Sequence, residues 1–74
     1  MKKRNIEHIA LNLYRLKEKQ GLTVENLADD LEMTPRYVYL LMNGEKTPSL
    51  YTLMKIAEIF EVTIDYLLTD NENK

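Results

Sequence analysis

Arg36, Tyr39, Leu40 and Asn43 stand at i, i+3, i+4 and i+7 within the stretch "MTPRYVYLLMNG", from Met33 to Gly44. In a helix those positions share one face. The set is a fixed cation, a phenol, an aliphatic chain and an amide, which is chemistry for recognition rather than for making bonds. Arginine offers a planar fork of donors to a bidentate acceptor, Tyr and Asn hydrogen-bond, and Leu makes an apolar contact. Catalysis has little to draw on elsewhere. The chain has no cysteine, and its single histidine, His8, has no Ser or Cys nucleophile arrangement near it. No Gly-rich phosphate loop is present. These counts imply no enzyme, no metal cluster and no cofactor, and His8 reads as a surface residue of the first helix.

Local signals say which elements must position that face. Thr34 is a good N-cap, Pro35 falls at the first helical position where its missing N–H costs nothing, and Gly44 ends the segment. Helix 3 is therefore expected over 35–43, burying Val38, Leu41 and Met42 and turning the recognition set outward. Ile6, Ile9, Ala10, Leu13 and Leu16 recur at helical spacing before Gly21, giving helix 1 over about 5–20. Thr23 caps helix 2, over 24–31, with Leu27, Ala28 and Leu31 as its stripe. Pro48 breaks the chain, and Ser49 caps helix 4 over about 50–61, with Leu50, Leu53, Met54, Ile56, Ala57 and Phe60 as a broad stripe. Thr63 caps a short helix 5 over 64–68. Met33, Met42 and Met54 read as core filler. No segment alternates with period two for long enough to form a strand. The expected fold class is all-α, a compact five-helix bundle in one domain over 1–69, with a polar tail at 70–74.

At 74 residues a domain buries only about 60% of the surface its unfolded chain exposes, so its stability should be marginal. Pairing with a second copy is a common remedy. Ile59, Ile64, Tyr66 and Leu68 cannot all face a core this small, and some of them are expected in an isologous homodimer contact. The start has no signal-peptide pattern, and no apolar stretch approaches the ~20 residues of a membrane span, so a cytoplasmic protein is expected. Charge is uneven. Residues 1–19 carry six basic groups against two acids, residues 20–45 one against five, and residues 46–74 three against five. The net −2 gives no general attraction to a polyanion, so any such contact must be local.

Helices 2 and 3 are joined by only Glu32, Met33 and Thr34, and the small Ala28 allows close approach. This is the geometry of a helix-turn-helix, whose second helix can enter a DNA major groove. Here the chain resembles the phage-repressor and Cro-like (XRE-type) helix-turn-helix regulators of bacteria and phages. The resemblance runs from Ile6 to Leu68, on "LKEKQGLTVENLADDLEMT" and "LMNGEKTPSLYTLMKIAEIFEVTIDYLL". It implies a lambda-repressor-like domain and a sequence-specific transcriptional regulator that binds double-stranded DNA as a homodimer. Repression by occupancy of an inverted-repeat operator is the simplest outcome, with half-sites about 34–36 Å apart. It also implies DNA-binding roles for Thr34, Arg36, Tyr37, Tyr39 and Leu40, and a phosphate contact at Asn43 with Lys46 and Thr47.

Four positions depart from the family pattern. Val24 replaces the usual Gln that braces the DNA backbone. Glu32 replaces the turn Gly, and must either accept positive φ or reshape the turn. Pro35 offers no donor at a common reader position. Leu40 can touch a thymine methyl but cannot hydrogen-bond. Three readings stay open beside the leading one. Tyr37 flanks the core stripe and can pack there instead, and Lys2-Lys3-Arg4 is either a solvated start or an arm on the DNA. The acidic 20–45 segment and the Tyr-Leu face also suit a protein partner, as in an antirepressor.

Overall fold

The computed structural model describes residues 5–69, without the side chains of Asn5 and Ile6. The Lys2-Lys3-Arg4 arm, the core placement of Ile6 and the tail at 70–74 lie outside the described residues. Among the described residues five helices follow one another: α1 Asn5–Lys19, α2 Val24–Leu31, α3 Pro35–Met42, α4 Leu50–Phe60 and α5 Ile64–Leu68.

Each helix after the first starts for the same reason. Thr23, Thr34, Ser49 and Thr63 hold extended backbone, and their hydroxyls accept the N–H three residues on, at 3.0, 3.2, 3.1 and 2.9 Å. Each such bond satisfies a helix donor that otherwise has no partner. The first four helices also share one ending. Gly21, Glu32, Gly44 and Glu61 all have φ between 57 and 76°. The N–H after each returns to a carbonyl five residues back, as in Met33 N–Ala28 O at 2.9 Å and Val62 N–Ala57 O at 3.0 Å. This closes the last turn with a left-handed residue, ordinarily Gly.

Two glutamates therefore hold a conformation that costs an L-residue about 1 kcal/mol. Glycine would relieve it but adds unfolded-state entropy, which takes back part of the gain. Glu61→Gly is expected to stabilise the fold by about 0.5 kcal/mol, raising Tm by about 2–4 °C. A melting curve decides it, and a lowered Tm would refute the strain.

The core draws on all five helices: Leu13 and Leu16 from α1, Leu27, Ala28 and Leu31 from α2, Val38 and Leu41 from α3, Ile56 and Phe60 from α4, and Leu67 from α5. Helix α1 packs on α3 and α5, α2 on α3 and α4, and α4 on α5. The expected all-α, five-helix fold is what forms, and among the described residues there is no strand.

The apolar stripe expected on α4 needs correction. Leu50 is 66% exposed and Met54 54% exposed, so neither is core. The stripe was too broad for one helix face. Thr52, Ile56 and Phe60 make the buried row, and Leu50 and Met54 point the other way. Thr52 can enter the core because its hydroxyl accepts a 3.1 Å bond from Ser49 Oγ. Met33 and Met42 do pack on the core, half-buried.

Asn12 is only 2% exposed, and its Nδ2 donates to the carbonyls of Tyr66, Leu67 and Thr69 at 3.1, 3.0 and 2.8 Å. A five-residue helix leaves its C-terminal carbonyls without helical partners, and α1 supplies the donor from across the bundle. Nothing local in the sequence around Asn12 marks this role.

Candidate nucleic-acid interface

The pair α2–α3 is held by a tight connection and a dry seam. At its entry Thr23 and Asn26 bond reciprocally, Asn26 N to Thr23 Oγ1 at 3.0 Å and Thr23 N to Asn26 Oδ1 at 3.5 Å. At its turn Glu32 adopts φ 61°, the first of the two alternatives open to it. Leu27, Ala28, Leu31, Val38 and Leu41 fill the seam. Val24 is buried as well, so it serves the core rather than bracing anything outside.

With Val38 and Leu41 inward, the outer face of α3 comprises the expected residues. Arg36 is exposed at its second position, Tyr39 is 50% exposed, and Asn43 is exposed as the residue that caps the end. Leu40 lies half-buried between them. Among the described residues no hydrogen bond or ion pair engages the Arg36 guanidinium. Thr34 is exposed at the N-cap, where its Oγ1 accepts from Tyr37 N and keeps its own proton free to donate. Tyr37 is half-buried and packs against the core, the alternative foreseen for it. Lys46 and Thr47 are exposed in the loop after α3, which the buried Pro48 anchors.

Positive charge around this face is sparse, and acidic groups stand near it. Glu25, Asp29 and Asp30 are exposed on α2. Glu32 Oε1 lies 3.4 Å from Lys55 Nζ on α4, and that ammonium also sits 5.4 Å from the centre of the Tyr51 ring. Desolvation pulls the Lys55 pKa down, but the hydrogen bond and charge of Glu32, helped by Tyr51, outweigh it and raise the pKa. Lys17 is withdrawn from the surface, since its ammonium donates to Glu18 Oε2 at 2.9 Å and to the Leu22 carbonyl at 3.2 Å. It pins the end of α1 and contributes little to an outward field. Its sequence position gave no sign of that. His8 is half-buried on α1, and no group of three or more His, Cys, Asp or Glu is placed to hold a metal among the described residues. No helix among the described residues is long and apolar enough to cross a membrane.

The residues expected to pair lie on α4 and α5. Ile59 is half-buried against the core, Ile64 and Leu68 are half-buried, and Tyr66 is just exposed. Leu67, between them, takes the core position. Met54, Ala57, Glu58, Val62 and Ile64 line a shallow groove beside them of about 340 Å³.

A family model described as helix-turn-helix matches residues 13–67, most of the chain. The chain is also 36% identical over 64 residues to a protein of Bacillus subtilis (strain 168) described as "Uncharacterized HTH-type transcriptional regulator YqaE". That match covers 85% of this chain and 54% of the relative, so the chain spans about half the length of that protein. With the α2–α3 pair and the capped bundle around it, these similarities establish that the chain belongs to the helix-turn-helix family of phage-repressor and Cro-like (XRE-type) regulators.

Proposed function

We propose that the chain is the sequence-specific DNA-binding unit of a transcriptional regulator in a bacterium or phage. It binds double-stranded DNA as a homodimer and acts most simply as a repressor by covering an operator. The observation that carries the reading is the Arg36 guanidinium, without a partner among the described residues and displayed with Tyr39 and Asn43 on the outer face of α3. Helix α3 lies in the major groove, α2 crosses the backbone, and Asn43, Lys46, Thr47 and the Thr34 hydroxyl meet phosphates. The similarity to a described transcriptional regulator supports the same reading.

The homodimer is supported by the exposed Leu50 and Met54 on α4. Met54 lines the groove together with Ile64, one of the residues expected to pair, and Leu50 lies one turn before it on α4. Ile59 contributes least, being engaged with its own core. The apolar surface is greater there than on α3, where Tyr37 is turned partly inward. That placement favours a second copy at α4–α5 and DNA at α3 over a protein partner at α3.

Selection from random duplex DNA at low salt tests both halves. The expected product is an inverted repeat with half-sites one helical turn apart, and light scattering at tens of micromolar should return twice the chain mass. A single half-site with a one-chain mass refutes the dimer. No enrichment, with a stoichiometric partner co-purifying, refutes DNA reading in favour of an antirepressor-like module.

A further inference from the structure

Within α3, "PRYVYLLM", the polar readers are few. The helix contains no Asn, Gln, Ser, Thr, Lys, Asp or Glu, and so lacks the amides that pair bidentately with adenine and the carboxylates that accept from cytosine. Arg36 supplies one fork, suited to guanine. Pro35, at the entry, has no donor. Leu40 stands four residues beyond Arg36 on the same outer face, half-buried, with Tyr39 beside it. Resting on the DNA-reading proposal above, the question is what an aliphatic side chain can recognise there.

Major-groove base edges present hydrogen-bond donors and acceptors, with a single exception. The C5-methyl of thymine is their one apolar group. A leucine at that place desolvates any polar edge without replacing its hydrogen bonds, which is unfavourable. Against a methyl it buries apolar surface on both sides. We propose that Leu40 is a specificity-determining residue that reads a pyrimidine 5-methyl group. The half-site thus combines a guanine met by Arg36 with a thymine recognised through its methyl rather than through its hydrogen-bonding edge. Since Leu40 cannot hydrogen-bond, a 5-methylcytosine, which carries its methyl at the same ring position, should partly replace that thymine.

Once the operator is selected, uracil is placed at each thymine in turn, which removes the methyl and leaves the pairing unchanged. Replacement in one half-site should weaken binding about fourfold, and in both half-sites about fifteenfold, from the transfer value of a buried methyl. At that position a 5-methylcytosine·guanine pair should bind more tightly than cytosine·guanine by the same factor. In Leu40→Ala the penalty for uracil at that position should disappear. Leu40→Gln, which keeps nearly the same volume, should also lose it and guards against a folding defect in the alanine variant. Uracil without effect at every thymine of a bound operator overturns the proposal. So does a uracil penalty that persists in both variants. Failure to select any operator at all is a different result, since it removes the DNA reading on which this proposal rests.

Discussion

Arg36→Ala should abolish most discrimination between operator and unrelated DNA while leaving Tm unchanged or slightly raised. Each arginine that grips a guanine bidentately contributes ~1–3 kcal/mol of discrimination. A dimer uses two, so the loss is about 2–6 kcal/mol, at least ~30-fold in operator affinity. Non-specific affinity should fall far less, because it depends on phosphate contacts made elsewhere, at Lys46 and the loop before α4. The stability half of the prediction follows from place. Arg36 is the second residue of α3, exposed and engaged by no described partner. A cation in the first turn opposes the helix dipole by ~0.3–1 kcal/mol. Its presence there works against the fold, as expected of a residue kept for what it binds. Arg36→Lys separates charge from geometry, since it keeps the cation but loses the fork and should still lose discrimination. Binding titrations on operator and scrambled duplex, beside a melting curve, give the answer. Wild-type discrimination in Arg36→Ala would remove this residue from the reading face.

What could be seen in advance divides along a physical line. The helix limits were legible because they are set by neighbours in sequence. Thr23, Thr34, Ser49 and Thr63 are caps that work over three residues, and Gly21 and Gly44 end turns within five. The inward row of α3 was legible too, since a short amphipathic helix with Val38 and Leu41 on one side leaves few choices. On α4 the pattern failed, because six apolar positions spread over about 160° of the helix, wider than the face that packs. Only packing decides that Thr52 goes in and that Leu50 and Met54 stay out. Leu67 was hidden for the same reason, being one apolar residue among several in a five-residue helix. Polar groups used across the bundle were the least visible. Lys17 reads as one more basic residue of α1, yet it is consumed by Glu18 and the Leu22 carbonyl. The exposure of Arg36, Tyr39 and Asn43 was easier to read than the core, because it follows from local periodicity.

Asn12→Ala is expected to destabilise the fold as severely as the loss of a core side chain. Its Nδ2 serves three carbonyls, those of Tyr66, Leu67 and Thr69, at distances down to 2.8 Å. The Tyr66 carbonyl also accepts from Thr69 N at 3.4 Å and Thr69 Oγ1 at 3.2 Å, so it is the Leu67 carbonyl that leans most on Asn12. A buried acceptor stripped of its partner costs ~1–3 kcal/mol, and the truncation also opens space beside Leu67. Helix α5 has five residues and no stability of its own, so it holds only while it is docked. The sum is about 2–4 kcal/mol out of the ~5–15 typical of a folded domain, a fall in Tm of about 10–25 °C. Asn12→Asp should be at least as harmful despite equal size, because a carboxylate would face carbonyl oxygens. Equal Tm for wild type and Asn12→Ala, by thermal melting, would show that water replaces the amide. The effect should also reach function. Helix α5 carries Ile64 and Leu68, so loosening it disturbs the surface proposed for the second copy. Operator binding should then become more dependent on protein concentration, though Arg36 and the whole of α3 are untouched.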